Sequence, residues 1–340
     1  MAVISKKMPK TTGKRGMFLT FIAISLIAAI LVIFAPYDAN LKDNIPVTKT
    51  RITSVNNYVL DLENAYLEQS LYVSSTKAIA SLILYMGEKK EFLANFQDSF
   101  LEVLLKGTIN GVPIDTITGQ NIMSGNNYNE LLEKVKSSAK SALNVDTSFA
   151  VNKVQVYQTG AWLVTIDADV SFTVSSESAS WTKNVKVTSN VEVEKFNDPY
   201  YIANTGGLYK NKIINSNLKP EEWNVEKTRE HIRLGTYVHW DDSKAPSFLM
   251  RFTNDIKASG CCGIESLVDP NKLKDLGLNS NVMESYVDYL FWSHAFKEQC
   301  DKLYDVSSIQ SEFPNFKFDF EPLIQYKIPL EEANVICTKP

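Results

Sequence analysis

An alternation of apolar and polar residues from Trp162 to Val174 constrains the fold of this chain more than any other feature. Apolar side chains occupy every second position, and the residues between them are mostly polar, including Asp167 and Asp169. Successive side chains of a β-strand point to opposite faces of a sheet. The segment is therefore predicted to form a long strand with one buried face and one wet face.

Two neighbouring segments repeat this alternation, the first at Val154 and Val156 and the second at Val185, Val187, Val191 and Val193. The connections, Thr159-Gly160 and Ser175–Ser178, are short, and short connections join antiparallel strands. We therefore predict an antiparallel meander. Its apolar face must be covered, and the segments before it are the available cover.

Those preceding segments have helical spacing. A seam with intervals of three and four residues predicts a long helix, and its members are Ile52, Val55, Val59, Leu62 and Tyr66, with Val73, Ala80, Ile83 and Met86 continuing it. Two further helices are predicted at Glu91–Lys106 and Tyr128–Leu143, with a hairpin at Asn110-Gly111 between them. The seam could contact a second chain, but two clean heptads are short for a coiled coil, so packing on the domain's own sheet is favoured.

Residues 206–340 are predicted to form a second, α+β unit. A helix is expected through Phe248–Ile256, and strands at Ser285–Trp292 and Phe316–Phe320. A short strand at Tyr200–Ile202 is expected to close the first sheet after the turn at Asn197–Pro199.

Residues 17–34 carry no charge, and an apolar helix of this length crosses a bilayer. All five charged residues before this run are basic, namely Lys6, Lys7, Lys10, Lys14 and Arg15. The positive-inside rule places residues 1–16 in the cytoplasm as a basic leader and the chain after the transmembrane helix 17–35 outside. A cleaved secretory signal is the competing interpretation, but its apolar region is shorter, so a retained anchor is favoured.

The chain has 35 basic and 39 acidic side chains, so the part beyond the leader carries a net charge of about −9. Nucleic-acid binding needs a basic face, and we exclude it. The expected partners are the membrane lipid bilayer and, outside it, either further copies of this chain or an envelope protein.

Four cysteines, Cys261, Cys262, Cys300 and Cys337, lie in the last eighty residues. An even number in an extracellular region predicts disulfides. Because neighbouring cysteines rarely pair with each other, we expect Cys261 and Cys262 each to bond one of the other two. A metal site is disfavoured because no C-x₂₋₄-C pair occurs.

The sequence contains no recognisable catalytic constellation, cofactor motif or metal site. Its three histidines, His231, His239 and His294, lack zinc-binding spacing. The best local cluster is His239, Trp240, Asp241 and Asp242, which could bind a cation or a ligand but could equally be a solvated turn. Asp167 and Asp169 could suit calcium, although a wet strand face explains them as well. Trp240 and Trp292 could stack on sugars, but tryptophan is more often a core residue.

The junction Lys14-Arg15-Gly16 followed by the apolar run resembles the leader of archaeal type IV pilin-like precursors. The resemblance covers residues 6–35 and implies cleavage between Gly16 and Met17. It departs from the pilin pattern at the fifth mature position, where Phe21 stands instead of glutamate. This departure weakens the expectation of filament assembly more than that of processing.

The element F-x-D-P-x-Y-x-x-x-T at Phe196–Thr205 is similar to one found after a meander in uncharacterised archaeal membrane-anchored surface proteins. Residues 259–270 (SGCCGIESLVDP) and 285–293 (SYVDYLFWS) are similar to their C-terminal region. Together the similarities cover about two thirds of the chain. They imply topology and location, and no activity.

The predicted fold class is therefore α+β: an N-terminal transmembrane helix, a helical stalk packed on an antiparallel β-meander in residues 36–205, and a disulfide-linked α+β domain in residues 206–340. The predicted function is that of a non-enzymatic, membrane-anchored surface protein, pilin-like, in adhesion or cell-envelope architecture. The alternative is an extracellular domain that binds a ligand or glycan and presents it to a membrane partner.

Overall fold

The computed structural model describes residues 44–177, 179–242, 244–280, 283–293 and 303–337. The predicted leader 1–16, the transmembrane segment 17–35, the Gly16–Met17 junction, His294 and Cys300 lie outside these residues. Within the described part, no helix combines the length and the apolar character needed to cross a bilayer. The architecture is α+β, with helices and antiparallel sheets, as predicted.

The first described element is a helical run from residue 44 to residue 89, divided into α1 (Asn44–Asp61), a π-helical turn (Leu62–Tyr66) and α2 (Leu67–Lys89). A π-turn inserts one extra residue into a helix. In the α-helical parts, buried residues recur every three or four positions, but across the π-turn the interval between Leu62 and Leu67 is five, and both are fully buried. The extra residue thus keeps the two halves of the buried stripe on one side.

This turn changes the register that the heptad pattern predicts. Val55, Val59 and Leu62 are buried as expected, whereas the first predicted member, Ile52, is 41% exposed before the turn. Tyr66 in the turn is 43% exposed, and Val73 beyond it is 37% exposed. Beyond the turn the buried stripe runs through Leu67, Leu71, Ala78, Ile79, Leu82, Ile83 and Met86. The side chain of Glu63, inside the turn, forms an ion pair with Lys183 at 2.7 Å.

The predicted meander is present as β3 (Asp146–Gly160), β4 (Leu163–Ser175) and β5 (Ser180–Glu192), paired antiparallel in that order. The even-numbered residues of β4 from Val164 to Val174 are buried, and Leu163 and Asp169 on the other face are exposed. Helix α2 packs against β5, and a later helix packs against β3, so the helices cover the apolar face.

Between the long helical run and the meander lie α3 (Phe96–Lys106), the hairpin β1–β2 (Thr108–Ile109 with Val112–Pro113), α4 (Ile114–Thr118) and α5 (Tyr128–Leu143). The hairpin confirms the Asn110-Gly111 prediction, since both turn residues have positive φ, as a type I′ turn requires. Helix α5 has the predicted bounds. Its N-cap Asn127 accepts a hydrogen bond from the backbone N–H of Glu130.

The remaining elements are short. They are α6 (Pro199–Thr205), a 3₁₀ turn (Pro220–Glu222), α7 (Val225–Leu234), a 3₁₀ turn (Met250–Thr253), α8 (Pro270–Asp275), α9 (Asp288–Ser293), β6 (Leu303–Val306), α10 (Ser307–Gln310), β7 (Lys317–Asp319), α11 (Phe320–Gln325), a 3₁₀ turn (Leu330–Glu332) and β8 (Ala333–Cys337). The three strands pair antiparallel in the order β7-β6-β8. Residues Ile52–Pro340 form one compact unit, and the division at residue 205 stays a prediction.

Two predicted strands are helices. Residues 199–205 form α6, with Asp198 as N-cap, Pro199 in the first turn and Gly206 ending the helix at φ +57°. Residues 288–293 form α9, and only Val287, just before it, makes a strand-like bridge, to Leu267. Both segments are short and rich in large apolar side chains, and a short run of this kind has no periodicity that separates a strand from a buried helix. The helix expected at Phe248–Ile256 shortens to the 3₁₀ turn Met250–Thr253.

The predicted cysteine pairing is wrong for Cys261 and Cys262, which are bonded to each other. The pair lies in a tight turn in which Gly260, at φ +73°, precedes Cys261. Backbone hydrogen bonds hold the turn on both sides, from Ser259 to Ala245 and from Ile264 to Pro246. These contacts place the turn against Ala245 and Pro246.

Candidate functional site: a buried charged network

The predicted cluster His239–Asp242 does not converge on one site. His239 is half-buried and its Nδ1 is 2.6 Å from the carbonyl oxygen of Gly263. Trp240 is buried, and its indole N–H donates to Glu265. Asp241 and Asp242 are exposed in a turn. The four side chains therefore diverge between the core and solvent.

Asp167 takes part in a cross-strand polar cluster. Its carboxylate accepts hydrogen bonds from Thr188 at 2.7 Å and Tyr157 at 3.0 Å, and it pairs with Lys186 at 2.8 Å. A hydrogen bond from Lys186, followed by one from the hydroxyl of Thr188, lowers the pKa of Asp167. Among the described residues, no three His, Cys, Asp or Glu side chains gather as a metal site.

The most unusual chemistry lies around Arg251, the largest fully buried side chain. Its guanidinium pairs with Asp198 at 2.5 Å and with Asp288 at 2.7 Å, and both carboxylates are also fully buried. It also donates to the carbonyl oxygen of Ile264. Buried charges occur in proteins when they are paired and hydrogen-bonded, and this arrangement satisfies that condition.

Asp198 is held by the local structure of α6. As N-cap, it accepts a hydrogen bond from the backbone N–H of Tyr200 through Oδ1 at 2.8 Å. Its Oδ2 accepts a second from the hydroxyl of Tyr237, also at 2.8 Å, in addition to the bond from Arg251. The amide of Asn211 in turn donates to the Tyr237 hydroxyl at 3.0 Å. One carboxylate therefore both caps a helix and anchors the arginine.

Asp288 stands at the start of α9 and completes the other side of the cluster. Its Oδ2 accepts from the hydroxyl of Ser266 at 3.0 Å, and its Oδ1 accepts from the backbone N–H of Tyr289 at 2.7 Å. The hydroxyl of Tyr201 lies 2.9 Å from that of Ser266. The aromatic ring of Tyr200 packs against the guanidinium, whose carbon is 4.9 Å from the ring centre.

A second buried group surrounds Glu265. The indole of Trp240 donates to this carboxylate at 2.9 Å, and the hydroxyl of Tyr326 also hydrogen-bonds it. His231 packs against Tyr326, with ring centres 5.6 Å apart, and its Nδ1 is 2.6 Å from the hydroxyl of Thr236. Trp223 packs edge-on against both rings, at 4.8 Å from Tyr326 and 5.0 Å from His231. This group is an aromatic cluster with two titratable side chains inside it.

The electrostatics of the two groups follow from burial. Asp198 and Asp288 share the guanidinium of Arg251, and Glu265 lies in the same core without an ion pair to any described residue, so one cation cannot neutralise all three carboxylates. Burial raises the pKa of Asp198 despite Arg251, and it raises the pKa of Glu265 to about 7. Burial also lowers the pKa of His231 to about 3, which keeps its imidazole neutral. Although burial opposes the charge on Arg251, Asp198 and Asp288 outweigh it and raise the arginine's pKa.

Sequence analysis missed the members of this network, although they carry a visible signal. Arg251, Glu265 and Asp288 are single charges within apolar stretches, in Leu249–Phe252, Ile264–Val268 and Val287–Trp292. Charged residues are almost never buried unless paired, so isolated charges in apolar segments point to buried partners. The pattern Asn197-Asp198-Pro199 indicates a turn and does not predict a buried charge at Asp198. Nothing in the sequence shows which of these charges meet.

Three segments that the sequence analysis singled out meet at this network. Phe196–Thr205 supplies Asp198 and Tyr201, residues 259–270 supply Glu265 and Ser266, and residues 285–293 supply Asp288. Trp292, from the last segment, is buried against Tyr201 with ring centres 5.2 Å apart. These segments therefore share a structural role in the core.

A shallow groove of about 560 Å³ lies on the surface beside β3. Its lining includes Gln97 from α3, Lys153, Gln155 and Tyr157 from β3, and Asp167 from β4. The side-chain amide of Gln97 donates to the carbonyl of Val154 and accepts from the N–H of Val156, both at 3.4 Å. The groove thus presents the amide of Gln155, the ammonium of Lys153 and the ring of Tyr157 to a polar ligand.

No protein-family model matches the chain, and comparisons with curated proteins and with solved structures find no match either.

Proposed function

We propose that this protein is a non-enzymatic, single-pass membrane-anchored surface protein whose outward body acts in adhesion or cell-envelope architecture. The observation that carries the proposal is the helical run from residue 44 to residue 89. It begins shortly after the predicted membrane segment in the sequence, and its α2 part packs along the meander. A helix that follows the anchor and is built into the core of the body suits a membrane-tethered architecture.

The buried network supports a structural role in preference to a catalytic one. Arg251, Asp198 and Asp288 have no exposed surface, and Glu265 is 2% exposed. Except for Nε of Arg251, which has no hydrogen-bond partner among the described residues, the charged groups bond each other, neighbouring tyrosine, tryptophan and serine side chains, and the backbone. A substrate could contact them only if the core opened, so the network is suited to fixing one arrangement of the short C-terminal elements.

Membrane fractionation of the full-length chain tests the proposal. We expect the protein to stay in the membrane after an alkaline wash and to leave it only with detergent. External protease should digest the body while an epitope placed before Met1 is protected. Release by the alkaline wash, or protection of the body, would contradict the proposed anchoring or orientation.

Mapping the mature N-terminus tests the pilin-like branch. A start at Met17 supports leader cleavage, and substitution of Gly16 by the bulky Phe should block it. A start at Met1 or Ala2 excludes processing after Gly16. If the protein is a filament subunit, shearing of cells should release it in filaments, and its absence from that fraction excludes this role.

The groove beside β3 favours the second candidate, a glycan-binding surface domain. Tyr157 is 38% exposed there, next to the polar side chains of Gln97, Lys153 and Gln155. Exposed aromatic rings with adjacent amides are suited to sugar rings, which present apolar faces and hydroxyl edges.

A panel of gluco-, manno- and chito-oligosaccharides should raise the melting temperature of the wild type and of Tyr66→Ala, but not of Tyr157→Ala. Tyr66 is a matched control because it is similarly exposed, at 43%, outside the groove. No shift with any sugar would count against this candidate.

A further inference from the structure

The Cys261–Cys262 disulfide cannot act as a conventional cross-link. The stabilisation that a disulfide gives through chain entropy grows with the number of residues it encloses. Here the bonded residues are adjacent, so the disulfide closes a ring that contains no residue besides Cys261 and Cys262 themselves. What the bond controls is the backbone at this one position, because opening the ring frees dihedral angles that the closed ring fixes.

The two sulfur-bearing residues differ in their access to solvent. Cys261 is exposed, whereas Cys262 is 1% exposed and packs into the core. Thiol–disulfide exchange requires a thiolate to reach one of the two sulfurs. A reagent from solvent can reach Cys261, and the buried Cys262 is then the leaving sulfur.

The residues after the pair connect it directly to the buried network. The backbone of Gly263 makes two contacts. Its carbonyl oxygen is 2.6 Å from Nδ1 of His239, and it forms an antiparallel β-bridge with Ser247. The carbonyl of Ile264 accepts a hydrogen bond from Arg251, and Glu265 pairs with Val238 through two backbone hydrogen bonds. A change in the backbone at Cys262 therefore acts on the contacts of Arg251 and Glu265.

We propose that Cys261–Cys262 is a surface thiol–disulfide exchange site whose redox state controls the order of residues 263–265. A thiolate attacks Sγ of Cys261, the S–S bond breaks, and its electron pair leaves on Sγ of Cys262, which takes up a proton. A second thiolate attacks the reagent's sulfur in the mixed disulfide and releases Cys261. Two thiols are thereby oxidised to one disulfide, and the protein gains two electrons and two protons. The co-reactant is a small thiol or a protein dithiol.

Two single variants of the full-length chain test which sulfur reacts. Cys262→Ser leaves Cys261 as a free thiol, and Cys261→Ser leaves Cys262. Each variant, folded in detergent, is treated with glutathione disulfide and analysed by peptide mass spectrometry. We expect glutathione on Cys261 to form on the order of 100-fold faster than on Cys262, because the buried thiol reacts only after local opening. Cys300 and Cys337 are common to both variants, so they do not affect the difference. Equal rates, or no reaction at Cys261, would overturn the proposal.

Hydrogen exchange of the unmutated chain tests the effect on the core. The amides of Ile264 and Glu265 donate to Pro246 and Val238, so their exchange reports on this segment. We expect reduction by glutathione to speed their exchange about tenfold. Phenylarsine oxide, which bridges two adjacent thiols with release of water, should close the ring again and restore slow exchange. Unchanged exchange after complete reduction at Cys261 and Cys262 would contradict the proposed control.

Discussion

Arg251 donates a hydrogen bond to Asp288 at 2.7 Å, although the two residues are 37 positions apart and both are fully buried. The bond joins the 3₁₀ turn Met250–Thr253 to the first residue of α9. Since Asp198 binds the same guanidinium, three short elements depend on one cation for their mutual placement. These elements are too short to be stable alone, so the network has a large share in specifying their arrangement.

Replacement of Arg251 should therefore be severely destabilising. In Arg251→Met the two carboxylates stay buried without their cation, and removal of one partner of a buried ion pair costs about 3–5 kcal/mol. We expect this loss in the free energy of unfolding measured by urea denaturation. Arg233→Met is the control, because Arg233 pairs with Glu312 on the surface, and it should have little effect. Asp198→Asn combined with Asp288→Asn should recover part of the loss in Arg251→Met. Additive losses would show that the charges do not form one network.

Glu265 should make the protein less stable as the pH rises. Its pKa is about 7 in the folded chain against an ordinary value of 4.5, so between these values the folded state binds a proton that the unfolded state has released. The contribution of Glu265 to the free energy of unfolding is present in full below pH 4.5 and is lost as the pH rises through 7. Glu265→Gln cannot titrate, so its free energy of unfolding should not show this loss. We expect the variant to gain roughly 2–3 kcal/mol relative to the wild type between pH 4.5 and pH 8, by urea denaturation.

The exposed carboxylate of Glu321 provides the control for this pH series. Glu321→Gln should follow the wild-type pH dependence, because Glu321 pairs with Lys244 at the surface. A Glu265→Gln curve parallel to that of the wild type would show that Glu265 is ionised in the folded protein.

His231 should give the opposite pH dependence. Its pKa is about 3 in the folded chain against an ordinary 6.5, so below pH 6.5 only the unfolded state binds the proton. The contribution of the neutral histidine is present above pH 6.5 and is lost as the pH falls towards 3. His231→Phe keeps an aromatic ring against Trp223 but cannot titrate. Between pH 6.5 and pH 4 the wild type should lose about 3 kcal/mol relative to this variant in urea denaturation. Equal slopes would mean that His231 is protonated in the folded state.

The π-turn predicts a specific order of mutational effects along the helix. Leu62→Ala and Leu67→Ala should each lower the free energy of unfolding by about 2–5 kcal/mol, since both side chains are fully buried. Tyr66→Ala, inside the same turn, should have a small effect because the side chain is exposed. If the helix instead followed the heptad seam, Tyr66→Ala would be the damaging substitution and Leu67→Ala the mild one. Thermal denaturation of the three variants distinguishes these registers.

The two remaining cysteines should form a second disulfide. Cys261 and Cys262 are bonded to each other, which leaves Cys300 and Cys337. Strand β8 pairs Cys337 with Leu303 of β6, and Cys300 precedes Leu303 by three residues in the sequence. Non-reducing peptide mapping should find one peptide that links Cys300 and Cys337. A peptide linking either of them to Cys261 or Cys262 would contradict both pairings.

Local pattern determined the parts of this fold that repeat over many residues. The alternation from Trp162 to Val174 predicts the meander because side-chain direction in a strand depends only on position along it. The bounds of α5 and the Asn110-Gly111 turn follow in the same way from nearest-neighbour chemistry. The spacing of the seam predicts the long helix, but the π-turn at Leu62–Tyr66 changes which of its residues are buried. Tertiary packing, and not local pattern, decides where the extra residue is inserted.

Only the tertiary structure decided the buried network. Residues 199–205 and 288–293 are too short for a period to appear, so a strand and a buried helix fit them equally well. The partners of Arg251 come from positions 53 and 37 residues away, and no local rule pairs one isolated charge with another at such distances. A buried charge needs a counter-charge wherever the folded chain places one, and that placement is a property of the whole core.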